Sequence, residues 1–221
     1  MVLFYRHYSN IRSRIVMGER KRQPFSKTNT HRSKMTSAST RSTATLNPSS
    51  GTAKIVRCPM QALERLRRLN EAEIITLFTP FVPHPPSTTL AKDMDPFEPL
   101  GRALPRQVRH VPYRLDSGMT EMHADFLPTS GAVVIVICAT SNVISNHVQA
   151  LERQLKFARG VSKKIAKNDT IPGLPMILIL IDDGAMGQAY VNAAYDFPAL
   201  VTVNDYTTAA LVNAVHVLFG N

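Results

Sequence analysis

Apolar residues in this chain fall into two kinds of run, and the difference predicts the architecture. Ala132–Cys138 (AVVIVIC) and Met176–Ile181 (MILILI) are unbroken and rich in β-branched residues, as expected of strands covered on both faces. Glu73–Thr79 (EIITLFT) reads as a strand that stops at Pro80, and Val108–Tyr113 (VRHVPY) as another, with Pro112 marking its end or an edge position. Leu200–Val203 is a short fifth strand. Other segments repeat at three to four residues. Gln61–Leu69 carries Leu63, Leu66 and Leu69 between charges, and Thr207–Phe219 carries Ala210, Leu211, Ala214, Val215 and Leu218 as an inner side. A long helix is expected over Ser145–Lys167, with Val148, Leu151, Leu155, Ala158 and Ile165 inward and Glu152 and Lys156 as an exposed pair one turn apart. Shorter helices are expected over Met119–Leu127, with Thr120 as N-cap, and over Ala185–Tyr195.

Strands that alternate with helices, the central ones apolar throughout, imply an α/β three-layer sandwich with a mostly parallel sheet of about five strands. Pro80, Pro83, Pro85 and Pro86 make an extended crossing after the first strand, since they cannot occupy a helix interior. The loops after Cys138, Ile181 and Val203 then gather on the carboxyl edge, where open α/β sheets bind ligands.

Charge divides the chain. Residues 1–57 hold 12 Lys or Arg against one acid, Glu19, although the whole chain is +10, so everything from Cys58 onward is close to neutral. Residues 1–57 therefore read as a disordered basic tail and 58–221 as the folded domain. A packed nucleic-acid-binding surface is not expected, because the excess charge is not on the folded part. The tail fits two origins. Val2, Leu3, Phe4, Ile11, Ile15 and Val16 beside Arg6, Arg12 and Arg14 suit a mitochondrial transit peptide; the favoured reading is an unconstrained extension or a mis-called start, with Met35 as an internal alternative. The longest apolar run, Ala132–Ala139, is far short of the roughly 18 residues that span a bilayer, so a soluble, cytoplasmic or mitochondrial protein is expected. Two cysteines are too few for a disulfide framework or a structural zinc site, and Cys138 reads as a buried free thiol.

The candidate chemistry lies on the carboxyl edge: Thr140, Ser141 and Asn142 after one strand, Asp182 and Asp183 after the next, Asn204 and Asp205 after the last. Small polar groups of this kind can hydrogen-bond a sugar, but the favoured reading is that they end the strands and cap the helices that follow. Asp182-Asp183-Gly184 lacks a third ligand at metal spacing. Neither GxGxxG nor GxxxxGK[ST] is present, nor GxSxG, nor HExxH, so no cofactor is expected. His123 and Asp125 stand about 200° apart on a helix of 3.6 residues per turn and make no dyad. His110 reads as a packed strand residue.

Several segments resemble the C-terminal α/β domain of glycoside hydrolase family 3, in its fungal β-N-acetylglucosaminidase-like form. They are Ile74–Ser87 (IITLFTPFVPHPPS), Phe97–Leu104 (FEPLGRAL) leading into Val108–Tyr113, Thr120–Ala139 (TEMHADFLPTSGAVVIVICA) and Leu200–Asn221 (LVTVNDYTTAALVNAVHVLFGN). The resemblance runs over Leu69–Asn221. It implies O-glycosyl hydrolysis, of β-N-acetylglucosaminidase or β-glucosidase type, by a preceding (β/α)8 barrel that holds the nucleophilic aspartate and an Asp/His acid-base pair. Such a barrel needs about 250 residues. The barrel-loop motif KHFPGHGD is absent, so no catalytic residue carries over, and the chain is expected to be a fragment or remnant, inactive alone, that meets a carbohydrate and a separate barrel. The alternative is a non-enzymatic α/β binding module with a targeting or partner-binding tail.

Overall fold

The computed structural model describes residues 51–220 apart from Ser87 and Thr89. Residues 1–50 of the expected disordered tail, with its transit-type helix, lie outside the described residues. In chain order the elements are β1 (Ala53–Arg57), α1 (Met60–Arg67), β2 (Ile75–Pro80), α2 (Glu98–Ala103), β3 (Val108–Tyr113), α3 (Glu121–Asp125), β4 (Ala132–Cys138), α4 (Ser141–Asn146), α5 (Ala150–Ala166), β5 (Met176–Ile181), α6 (Gly187–Ala193), β6 (Leu200–Val203) and α7 (Thr208–Phe219).

One sheet carries the fold, in the order β1-β6-β5-β4-β2-β3. Its five inner and right-hand strands are parallel: Ile75 lies level with Val108 and Ala132, Val133 with Met176, and Leu178 with Leu200. The sheet has six strands rather than about five. The additional one, β1, runs antiparallel to β6 with Ala53 opposite Val203, and lies in the stretch read from sequence as the end of the tail. Its burial alternates residue by residue, so Ala53 and Ile55 face inward while Lys54 and Val56 face out.

Alternation along the inner strands feeds two separate cores. Leu77, Val134, Val136, Ile179 and Val201 pack under α1, α2 and α7, with Leu66, Leu100, Leu211 and Leu218 as the helix contributions. Phe78, Val133, Ile135, Leu178 and Leu180 pack under α5 with Leu155, Phe157 and Val161. Both faces of β4 and β5 are thus excluded from water, which is why those two segments are apolar throughout. Pro112 sits in β3, an edge strand bonded on one side only, where a missing N–H breaks no ladder bond.

The long helix expected over Ser145–Lys167 is two helices. His147 adopts an extended backbone between α4 and α5, and Val148, expected inward, is 85% exposed. The cause is local. Ser145 Oγ and Asn146 Nδ2 both bond back to Asn142 O, at 3.1 and 2.7 Å, and such side-chain bonds compete with a continuing helix. Val143 and Ala150 are buried in place of Val148, while Leu155 and Ala158 are buried as expected.

β2 and β4 separate toward their carboxyl ends. Their pairing stops at Phe78–Ile135, which leaves the β2-facing backbone of Val136 and Cys138 without a strand partner. Two buried side chains take its place. Tyr113 OH donates to Val136 O at 2.8 Å, and the Gln154 amide both accepts from Cys138 N at 2.7 Å and donates to Cys138 O at 2.8 Å. Tyr113 also stacks on Phe157, with ring centres 3.8 Å apart. Burial is so complete here that the Cys138 thiol is pushed up to about 12, and it remains a free, protonated thiol.

Candidate functional site

The chain runs from β2 to β3 on one side and then returns through β4, β5 and β6 on the other, so the sheet changes direction between β2 and β4. A crevice forms at such a point, and it is the usual place for a ligand in open α/β sheets. Here the chain fills it. Asn142 Nδ2 donates to His84 O at 3.1 Å and to Tyr206 OH at 3.2 Å, while Tyr206 OH donates to Pro83 O at 3.0 Å. The proline crossing is thereby tied across the carboxyl ends of β4 and β6. Tyr206, 2% exposed, stacks on Phe97 beneath it, and burial raises its phenol above the ordinary tyrosine range.

The edge residues singled out from sequence therefore divide by task. Asn142 is committed to this network. Thr140 is buried and precedes α4 as its N-cap residue without a side-chain capping bond. Ser141 donates its backbone N–H to Asp183 Oδ2 at 2.7 Å. Burial pushes the Asp183 carboxyl up, but the Ser141 bonds and the Ala185 N–H outweigh it, and the group sits below the ordinary aspartate range. Asp205 Oδ1 accepts from Thr207 N at 2.7 Å and from the Thr207 hydroxyl, forming the turn into α7.

Asp182 differs. Its Oδ1 is buried and has no hydrogen-bond partner. Burial raises its carboxyl above the ordinary range, more than the backbone N–H groups of Gly184, Gly187 and Met186 lower it, and the neighbouring Asp183 charge adds to the rise. Asp182 and Asn204 line a cleft of about 490 Å³ that opens from the carboxyl edge onto the sheet face between α6, β6 and β1. Thr52, Lys54, Gln188 and Thr202 complete its polar lining, and Val56, Leu180, Val191 and Val203 its apolar lining. None of these except Asp182 and Asn204 was marked in the sequence. The signal that marks Lys54 is the alternation of AKIVR, which is that of a half-buried strand.

His110 and His123 each sit in a polar cluster away from this cleft. Thr79 Oγ1 lies 2.8 Å from His110 Nε2, whose ring is 3.8 Å from Asp95 and 3.7 Å from Glu98, a hydroxyl, imidazole and carboxylate in sequence. Thr79 is fully buried, so its hydroxyl meets no substrate, and the cluster ties β2 to β3 and α2. His123 packs edge-on against Phe78 and Phe157, and its Nδ1 is 2.7 Å from Thr120 Oγ1 in a capping box at the start of α3. Burial lowers its pKa, so it serves the fold as a neutral ring. Among the described residues no group of three or more His, Cys, Asp or Glu side chains could hold a metal ion, and no helix is long and apolar enough to cross a membrane.

No family model matches the chain, and no curated protein matches it in sequence. Among solved structures it is similar to a fungal multi-domain family 3 β-N-acetylglucosaminidase that carries a GCN5-related glucosamine N-acetyltransferase region, at 12% identity and TM-score 0.47 over 77% of this chain and 16% of that one. It is also similar to a family 3 β-N-acetylglucosaminidase from Paenibacillus sp. FPU-7, at 15% identity and TM-score 0.48 over 76% of this chain and 28% of that one. A β-glucosidase from Listeria innocua follows at 14% identity and TM-score 0.41, over 75% of this chain and 23% of that one. The chain spans less than a third of each of these structures.

Proposed function

We propose that this chain is a C-terminal-type domain of a family 3 glycoside hydrolase, a non-catalytic α/β sandwich that presents its carboxyl edge to a carbohydrate and works with a separate catalytic barrel. The sequence resemblance supports the family, since its segments supply β2 with the proline crossing, α2 with β3, α3 with β4, and β6 with α7. One observation carries the binding role: the buried, unpartnered Asp182 Oδ1 in a cleft of mixed polar and apolar lining. A sugar hydroxyl is the donor such an oxygen lacks, and the apolar lining suits the C–H face of the ring.

The same geometry argues against turnover by the chain alone. Retaining hydrolysis needs a nucleophile and an acid/base carboxyl about 5 Å apart across the scissile bond. Asp183 and Asp205 are each committed to N–H groups of the chain, which leaves Asp182 without a second reacting carboxyl. Purified protein assayed on a chromogenic N-acetylglucosaminide and a chromogenic glucoside gives no turnover on this reading. Turnover that Asp182→Asn abolishes would overturn it.

The distribution of charge favours one other reading, a non-enzymatic module held in place by its basic tail. Residues 1–50 hold ten Lys or Arg against Glu19. Fluorescent fusions with and without residues 1–50 separate the two: tail-dependent import into mitochondria favours the module, and the same distribution for both fusions favours the hydrolase-type domain.

A further inference from the structure

We infer that the cleft between β1, β6 and α6 is a binding site for a hydroxylated carboxylic acid of hexuronate size, with Lys54 holding the carboxylate and Asp182 accepting from a ring hydroxyl. The inference rests on the carbohydrate reading above and narrows it to an anionic sugar.

Three features point to this class. Lys54 projects from the outward side of β1 into the lining of the cleft, and among the described residues it forms no ion pair. An ammonium beside Val56 and Thr202 therefore lacks the counter-charge that a ligand carboxylate supplies. Asp182 places an acceptor in the same cleft, and Gln188, whose Nε2 donates to Asn192 Oδ1 at 2.8 Å, keeps its carbonyl oxygen as a second acceptor for hydroxyls. Val56, Leu180 and Val191 provide the apolar contact, and about 490 Å³ falls within the range of small-molecule pockets. A phosphate monoester fits less well, because a second negative charge meets Asp182 and there is one cation to answer it. A neutral sugar leaves Lys54 unused.

The experiment is a titration of the full chain with glucuronate, glucose and N-acetylglucosamine, followed by amide chemical shifts, on the wild type and on Lys54→Met, Asp182→Asn and Lys92→Met. Lys92 borders a different depression, beside Phe81 and His84, and controls for overall charge. The expected result is that glucuronate binds about tenfold more tightly than glucose, that Lys54→Met removes this preference without changing glucose affinity, and that Lys92→Met leaves it intact. Asp182→Asn weakens both sugars. Equal affinities for glucuronate and glucose, or a preference that survives Lys54→Met, overturn the anionic site while leaving the carbohydrate reading in place. No binding by any of the three sugars, with all variants folded by circular dichroism, overturns both.

Discussion

The hydroxyl of Tyr206 and the side-chain amide of Asn142 meet at 3.2 Å across the carboxyl ends of β6 and β4, and each also grips the proline crossing, at Pro83 O and His84 O. This pair closes the crevice where a sheet of this topology would normally receive a ligand, and the cleft lined by Asp182 opens on the far side of β5. Removing the Tyr206 hydroxyl leaves Pro83 O without its donor. Tyr206→Phe is therefore expected to cost about 1–2 kcal/mol in urea denaturation. It should also speed amide exchange at Val82 and His84 while leaving β5 unchanged; equal exchange in both proteins would show that the crossing is held by other means.

Gln154 is fully buried and completes β4 where β2 has turned away. Replacing it by Leu leaves both the N–H and the carbonyl of Cys138 unpaired in the core. The expected loss is about 3 kcal/mol by equilibrium unfolding, two unsatisfied buried groups at 1–3 kcal/mol each, partly offset by added apolar burial. A loss below about 1 kcal/mol would mean that water reaches Cys138.

Gly131 has an ordinary backbone conformation, so its constraint is space. A methyl group there would stand 2.7 Å from Glu73 Cβ and 2.9 Å from Leu69 Cδ2. Gly131→Ala should force the start of β4 away from the connection between α1 and β2 and cost about 1–3 kcal/mol. Thermal unfolding measures it, and an unchanged midpoint would contradict the packing described.

Asp182 gives a pH-dependent prediction whose sign follows from its environment. Burial raises its folded-state pKa above the ordinary 3.8, so its contribution to stability is complete below that value and is lost as pH rises through the raised folded value. Asp182→Asn, which mimics the protonated form, is then more stable than the wild type at pH 7 and equal to it below pH 3.8. Denaturation at the two pH values tests this, and a variant less stable at pH 7 would mean that the carboxylate is well solvated or paired.

Particular residues show why parts of the fold were legible and parts were not. β4 and β5 announce themselves because each is buried on both faces, and no helix of that length could be apolar at seven or six consecutive positions without losing its exposed side. The inner residues of α7 were legible because the 3.6-residue period is a local property. β1 was not, because five residues carrying Lys54 and Arg57 read as a continuation of the basic tail until β6 is there to pair with them. The helix break at His147 depends on Asn142 accepting two side-chain bonds, which spacing alone does not reveal. At the candidate site the sequence placed Ser141, Asn142, Asp182, Asp183, Asn204 and Asp205 on one edge, and they are there. What it did not show is which of them the fold consumes. Tyr206 and His84 take Asn142, Ser141 takes Asp183, Thr207 takes Asp205, and all three commitments except the last join residues far apart in the chain.

The most direct test is to map where a sugar binds on the uniformly labelled chain by amide chemical shifts during titration with glucuronate and N-acetylglucosamine. Perturbations centred on Lys54, Asp182, Gln188 and Thr202, and lost in Asp182→Asn, are the predicted result. Perturbations centred instead on His84, Asn142 and Tyr206 would contradict it, because the switch-point crevice, and not the cleft beside β1, would then be the site.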